Sequence, residues 1–381
     1  MTDQSTELSA LLREERRFDP PAAFAAAAVA QPGIYERAAA DPVSFWEDQA
    51  RRLSWAEPWK QALEWDLPFS KWFVGGKLNV AYNCVDRHVE AGLGARVAFH
   101  WEGEPGDTRT ITYAELHQMV CRAANALTSL GVEAGTTVAI YMPMIPETVV
   151  AMLACARLGA PHTVVFGGFS ADALRDRIQD CDARLVITAD GGYRRGTASA
   201  LKPAVDDALK ACPNVSKALV VRRTGQDVVW NEGRDVWWHE VVDSAAATHE
   251  PAMFDSEHPL YIMYTSGTTA KPKGILHTSG GYLTHTSANH RLVFDLKAES
   301  DVFWTAADIG WVTGHSYIVS VCHQVSTTGQ RFPPMCWRYH IHASGLMGSP
   351  TDPSRRSDDR SWPAGRSSPH FMKVRMVVGA V

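Results

Sequence analysis

Val138-Ala139-Ile140-Tyr141-Met142, followed by Pro146–Leu158 and by Thr163-Val164-Val165-Phe166, sets an apolar run, a helical pattern and a second apolar run in succession. The short runs read as buried strands and the longer periodic stretch between them as a helix. Ser170 then caps a further helix through Cys181, ahead of a strand at Leu185–Thr188. This β-α-β-α-β succession predicts an α/β fold, with a mostly parallel sheet flanked by helices and ligands held at the carboxyl ends of the strands. Two loops fall at that edge, Gly167-Gly168 and the stretch after Thr188.

Further along, a second strand-loop-helix unit begins at Leu260–Tyr264, runs into a loop and resumes as a helix after His277. The loop, Thr265-Ser266-Gly267-Thr268-Thr269-Ala270-Lys271-Pro272-Lys273-Gly274, holds four hydroxyls, two ammonium groups, two glycines and a proline. Glycines let backbone N–H groups approach a polyphosphate, hydroxyls donate to its oxygens, and lysines offset its charge. It is not a Walker A loop, whose spacing counted from Gly267 needs glycine where Pro272 stands. A hydrophilic surface loop is the competing reading; it accounts for the residue types but not for their ordered run after an apolar strand.

Toward the N-terminus, Ile34–His88 is dense in tryptophan (Trp46, Trp55, Trp59, Trp65, Trp72), which reads as packing area rather than ligand stacking. Met1–Ala30 mixes acidic residues with an alanine-rich stretch too short for a membrane span and without the order of a signal peptide, and reads as a mobile leader. A chain of 381 residues holds about two domains. A net charge of -5 provides no basic footprint for nucleic acid. Seven cysteines without C-x-x-C spacing argue against a disulfide framework and a structural zinc site, and fit reduced thiols in a cytoplasm.

The loop at Thr265–Gly274 resembles the phosphate loop of adenylate-forming enzymes, which include acyl-CoA synthetases, luciferases and peptide-synthetase adenylation domains; Ala270 stands where that pattern usually has glycine. Four more blocks, in matching order, resemble the acetyl-CoA synthetase family: Ala81–His88, Ala139–Glu147, Val165–Ser170 and Ala307–Tyr317. The resemblance runs from Ile34 to about Val319. It implies an incomplete large N-terminal domain of the adenylate-forming fold, with a family-specific N-terminal region at 31–90 and a partial AMP-binding domain at 91–319.

The reaction it implies has two halves. Acetate attacks the α-phosphate of ATP to give acetyl-AMP and pyrophosphate, and the CoA thiol then attacks the acyl-adenylate, with Mg²⁺ as cofactor. By the same resemblance Thr265, Ser266, Gly267, Thr268, Thr269, Lys271, Lys273 and Gly274 face the ATP phosphates, with Lys273 and Thr265 the candidates for catalysis. Phe166, Gly167, Gly168 and Arg194 contact CoA, and Trp311, Val312 and Thr313 line the acyl pocket. Thr197 stands at the family's second basic CoA position, with Arg195 nearby, and a solvated arginine pair is the competing reading there. The Trp-Val-Thr block, taken alone, also reads as core packing. No metal ligand is identifiable, and no nucleic-acid or membrane partner is expected.

The composition changes near Ser320. Residues 1–319 carry 29 Lys+Arg against 39 Asp+Glu, whereas 320–381 carry 8 basic residues, seven of them arginine, against 3 acidic ones and no glutamate. Apolar patterning in this tail is confined to Val374–Val381, so the tail is not expected to extend the α/β domain. The family's remaining elements, including its Mg²⁺-holding glutamate, ribose contacts and adenylation lysine, do not appear. The chain is therefore expected to be inactive alone. A non-catalytic nucleotide- or CoA-binding chain with a basic regulatory tail, or a ligase for another short acid, are the alternatives. The abrupt loss of resemblance reads as translation in a shifted frame. Sequencing the coding DNA across codons 310–340 is expected to show family-like sequence in another frame just after the Val319 codon; its absence from both other frames rules out the shift.

Overall fold

Every residue of Val138–Tyr141 is buried, as is every residue of Leu185–Ala189, and a run without a polar face is what a sheet covered on both sides requires. The computed structural model describes residues 18–265, 272–297 and 300–320 and the backbone of a strand at Arg375–Gly379. Its central sheet has seven strands in the order Asp235–Trp237, Lys217–Val221, Leu185–Ala189, Val138–Tyr141, His162–Val164, Pro259–Thr265 and Lys273–Thr278. All neighbours are parallel except the last pair, which is antiparallel.

The helices begin and end where local chemistry sets them. Pro146 opens Pro146–Leu158 in the first turn, where its missing N–H is no loss. Gly159 ends it at φ 66°, and a Cβ there would lie 2.4 Å from the Phe254 ring. Ser170 accepts from Ala173 N–H and caps Ala171–Asp180, with Cys181 at the far end. Thr112 and Glu115 form a reciprocal capping box ahead of Tyr113–Ser129.

The parallel β-α-β-α-β core agrees with the sequence reading. One element differs: between the phosphate loop and the helix Ser279–Leu292 lies an extra strand, Lys273–Thr278, folded back on Pro259–Thr265. The register Thr265↔Lys273 closes the hairpin, so the loop joins two strands rather than a strand and a helix. The backbone groups on that edge of Pro259–Thr265 need partners, and the returning chain supplies them.

The tail also differs from expectation. Arg375–Gly379 lies antiparallel between Val302–Trp304 and Val97–Glu102 in a second sheet, which Thr108–Thr112 completes. The apolar run at the end of the chain thus adds a strand to the fold. The rest of 321–374, and the first half of the expected leader to residue 17, lie outside the described residues. Past that point Ala22–Ala27 is a short helix that buries no residue.

The tryptophan-rich region packs as the composition indicates. The rings of Trp55, Trp59 and Phe73 meet at centroid distances of 5.0–5.5 Å. Trp65 is the exception, exposed on a hairpin. Trp72 N–H donates to Glu257 Oε1 and Ser256 Oγ donates to Trp72 O, both at 2.8 Å, which fastens this region to the strand-bearing part of the chain.

A buried ion pair makes a second fastening. Arg157, at the end of its helix, donates from Nη1 to both oxygens of Asp86 at 2.9 and 2.8 Å, and both side chains are nearly inaccessible. His117 Nε2 lies 3.3 Å from the same carboxylate. Burial alone would raise the Asp86 carboxyl, but hydrogen bonds from His117 and Arg157 hold it below its ordinary range. His117 is pushed up to about 9, chiefly by its bond to Asp86. Arg157→Leu is expected to cost about 3–5 kcal/mol, because it leaves the buried Asp86 carboxylate with His117 as its remaining charged partner. Adding Asp86→Leu should recover part of that loss. Denaturant unfolding at pH 7 measures both, and a double variant no more stable than the single one contradicts this account.

Candidate functional site

Because strands Leu185–Ala189, Val138–Tyr141, His162–Val164 and Pro259–Thr265 are parallel neighbours, the loops that follow them emerge at one edge. Those loops carry Asp190–Arg194, Met142-Pro143, Phe166–Gly168 and the start of the phosphate loop. This is the carboxyl edge at which α/β sheets bind ligands.

The Tyr141 hydroxyl pins the glycine loop, donating toward the carbonyls of Phe169 and Gly167 at 2.8 and 3.1 Å. Gly168 is packed so closely that a Cβ would meet the Phe166 ring at 2.4 Å and Arg194 Nη1 at 2.6 Å. The Arg194 guanidinium lies over the Phe166 ring, 5.5 Å from its centroid. Phe166, Gly167, Gly168 and Arg194 are therefore brought together. Arg195 is not: it has φ 56° in the exposed turn between strands Gly191–Arg194 and Thr197–Ala200, which separates the two arginines.

Behind that turn, Asp190 is fully buried and accepts from the backbone N–H groups of Gly191, Arg223, Thr224 and Gly225 at 2.7–3.2 Å. One carboxylate thus holds two loops against each other, a role that sequence spacing does not announce.

Trp311 and Val312 are each about half exposed, at 49% and 47%. The Trp311 ring meets Phe169 edge-on at 6.4 Å, whereas Val312 lines a cavity of about 560 Å³ with Trp46, Trp72, His277, Tyr282 and Ser316. Successive positions of the short helix Val312–Gly314 face different ways, so the expected acyl triple divides between two surroundings; Thr313 is half-buried beside them. Asp308, outside the set expected from sequence, stands at the start of this turn and accepts from Gly310 N–H at 2.8 Å. A Cβ on Gly310 would lie 3.1 Å from Phe166 N, which packs this turn against the glycine loop.

Of the phosphate loop, Thr265, Pro272, Lys273 and Gly274 are placed at the turn end of the hairpin, all exposed except the half-buried Pro272. Ser266, Gly267, Thr268, Thr269, Ala270 and Lys271 lie outside the described residues. A Cβ on Gly274 would lie 3.3 Å from the ring of Tyr264, the residue just before the loop. The Tyr264 hydroxyl donates to Asp180 Oδ2 at 2.6 Å. Among the described residues no group of three or more His, Cys, Asp or Glu could hold a metal ion.

With this geometry in view, two family models match the chain in sequence. That of the AMP-binding enzymes covers residues 86–331, and that of the acetyl-coenzyme A synthetase N-terminus covers residues 32–84. The chain belongs to the AMP-binding enzyme family. It is similar to acetyl-coenzyme A synthetases: 68% identical over 312 residues to that of Streptomyces avermitilis, covering 82% of this chain and 48% of that protein. The protein of Mycolicibacterium smegmatis is 66% identical over 304 residues, 79% of this chain and 32% of its own length. That of Deinococcus radiodurans is 50% identical over 324 residues, 84% and 50% respectively. The chain spans about half the length of most of the curated relatives it matches.

Asp308 gives the site a pH signature. Burial pushes its carboxyl from the ordinary 3.8 up to about 6, against the opposing effects of Gly310 N–H and Arg194. The unfolded chain releases this proton first, so the group's contribution to stability falls as pH rises from about 4 to 6 and stays low above that. Asp308→Asn removes the penalty. The variant is expected to exceed the parent by about 1–2 kcal/mol at pH 7, with allowance for partial solvent access, and to match it near pH 4. Urea midpoints at the two pH values decide; a variant weaker at pH 7 contradicts it.

Proposed function

We propose that this chain carries the ATP-phosphate and CoA-contacting part of an AMP-forming acetate:CoA ligase. The observation that carries the proposal is the convergence, on one sheet edge, of the phosphate hairpin, the Phe166–Gly168 loop with Arg194, and the Trp311 turn. Lys273 and Thr265 are exposed at the turn end of the hairpin, where an ammonium charge and a short donor would stabilise phosphoryl oxygens. Ser266, Gly267, Thr268, Thr269 and Lys271 would complete that cradle. Gly168 lets the glycine loop pack directly against Phe166 and Arg194, and Arg194 presents a planar donor fork suited to phosphate. Trp311, Val312 and Thr313 would bound a short acid.

Mg²⁺ bound with ATP would offset charge between the phosphates. Lys273 and the loop hydroxyls would share that task. No helix among the described residues is long and apolar enough to cross a membrane.

Binding without turnover is the second reading, favoured by the exposure of Trp311 and Val312, which leaves the acid pocket open on that side. Neither reading expects turnover from the chain alone. The purified 381-residue chain is expected to bind ATP in calorimetry and to catalyse no acetate-dependent ATP–pyrophosphate exchange. Lys273→Ala is expected to weaken ATP binding about tenfold, the loss of one charge-assisted hydrogen bond. Unchanged affinity in that variant removes Lys273 from the phosphate site, and measurable exchange establishes activity in the chain itself.

A further inference from the structure

The three groups assembled at the sheet edge are joined by a residue that none of the sequence motifs includes. Arg177 lies in the helix Ala171–Asp180, and its guanidinium carbon sits 4.8 Å from the Phe169 ring centroid and 5.4 Å from that of Tyr264. Phe169 directly follows Gly168 of the glycine loop, and Tyr264 directly precedes Thr265 of the phosphate loop. The contacts continue on both sides. Phe169 meets Phe166 at 5.5 Å and Trp311 at 6.4 Å, Phe166 carries Arg194, and Tyr264 is anchored to Asp180 of the same helix as Arg177.

We propose that Arg177 is a positioning residue that couples the strand end Tyr264-Thr265 to the glycine loop, so that a ligand held at one alters the affinity of the other. The physical basis is that one planar cation is shared between two rings. Its Nη1 donates to Ala173 O at 2.6 Å, which fixes the stem on the helix and leaves the guanidinium face to the aromatics. A shift of Phe169 or Tyr264 changes the packing of the shared cation on the other ring. Two loops that share a discrete contact in this way are thermodynamically linked, and the linkage is reciprocal. The ligands, a nucleoside triphosphate at one loop and CoA at the other, rest on the function proposed above; the mechanical coupling does not.

The test therefore has two arms on the 381-residue chain. In hydrogen exchange without ligand, Arg177→Met is expected to raise exchange in peptides covering 166–170 and 262–265 together, with the peptide covering 138–141 unchanged. Phe169→Leu, which removes the contact from the other side, should do the same, so the outcome does not hang on one variant's folding. In calorimetry, saturating ATP is expected to change CoA affinity by about fivefold or more in the parent, a typical coupling, and by less than about twofold in Arg177→Met. Exchange that rises at one loop or neither overturns the coupling, as does linkage that survives the substitution. If the parent binds neither ligand, the proposed function falls and the exchange arm alone decides the coupling.

Discussion

The backbone of Val138–Tyr141 is paired in parallel on both edges, to His162–Val164 and Leu185–Ala189, while its side chains are buried on both faces. A strand in that position has no water for its N–H and C=O groups, so its ladders must be complete. Parallel pairing can be completed only by crossovers that return the chain to the same starting end. Each strand therefore delivers its following loop to one edge, and the candidate site is a consequence of that requirement.

The same constraint explains how the N-terminal region is held. The crossover helix Pro146–Leu158 ends on Arg157, whose charge is buried against Asp86, and Asn79 Nδ2 donates to Arg157 O and to Ala252 O nearby. A buried pair of this kind adds little net stability over an apolar filling, yet penalises any arrangement that leaves one charge alone. Together with the Trp72 contacts to Ser256 and Glu257, it specifies one seating for a region whose tryptophans alone could pack in several ways.

At the sheet edge, aromatic rings, a hydroxyl and a buried carboxylate do the positioning. Phe166 and Phe169 support Arg194 and Arg177, Tyr141 fixes the carbonyls between them, and Asp190 braces the neighbouring loops through backbone N–H groups. Rings and backbone carbonyls hold direction without adding a net charge of their own.

The apolar runs at Val138–Met142 and Leu185–Thr188, the Pro146 start and the Ser170 cap were legible because each depends on neighbours within a few residues. The composition of Thr265–Gly274 likewise marked an anion loop, since its donors and charges lie side by side along the chain. The strand Lys273–Thr278 was not legible, because its conformation is settled by the free edge of Pro259–Thr265 and not by its own pattern. Nor were Asp190, Asp308 and Arg177, whose roles depend on partners from other segments: Arg223 and Thr224 for the first, the Phe166 loop for the second, Phe169 and Tyr264 for the third. By itself the sequence determined the α/β core, and it gave the loop the composition from which an anion site is proposed, both local properties. Only the tertiary structure decided which loops share an edge, how the expected acyl triple divides and which cation links the two loops, because those depend on contacts between residues far apart in the chain.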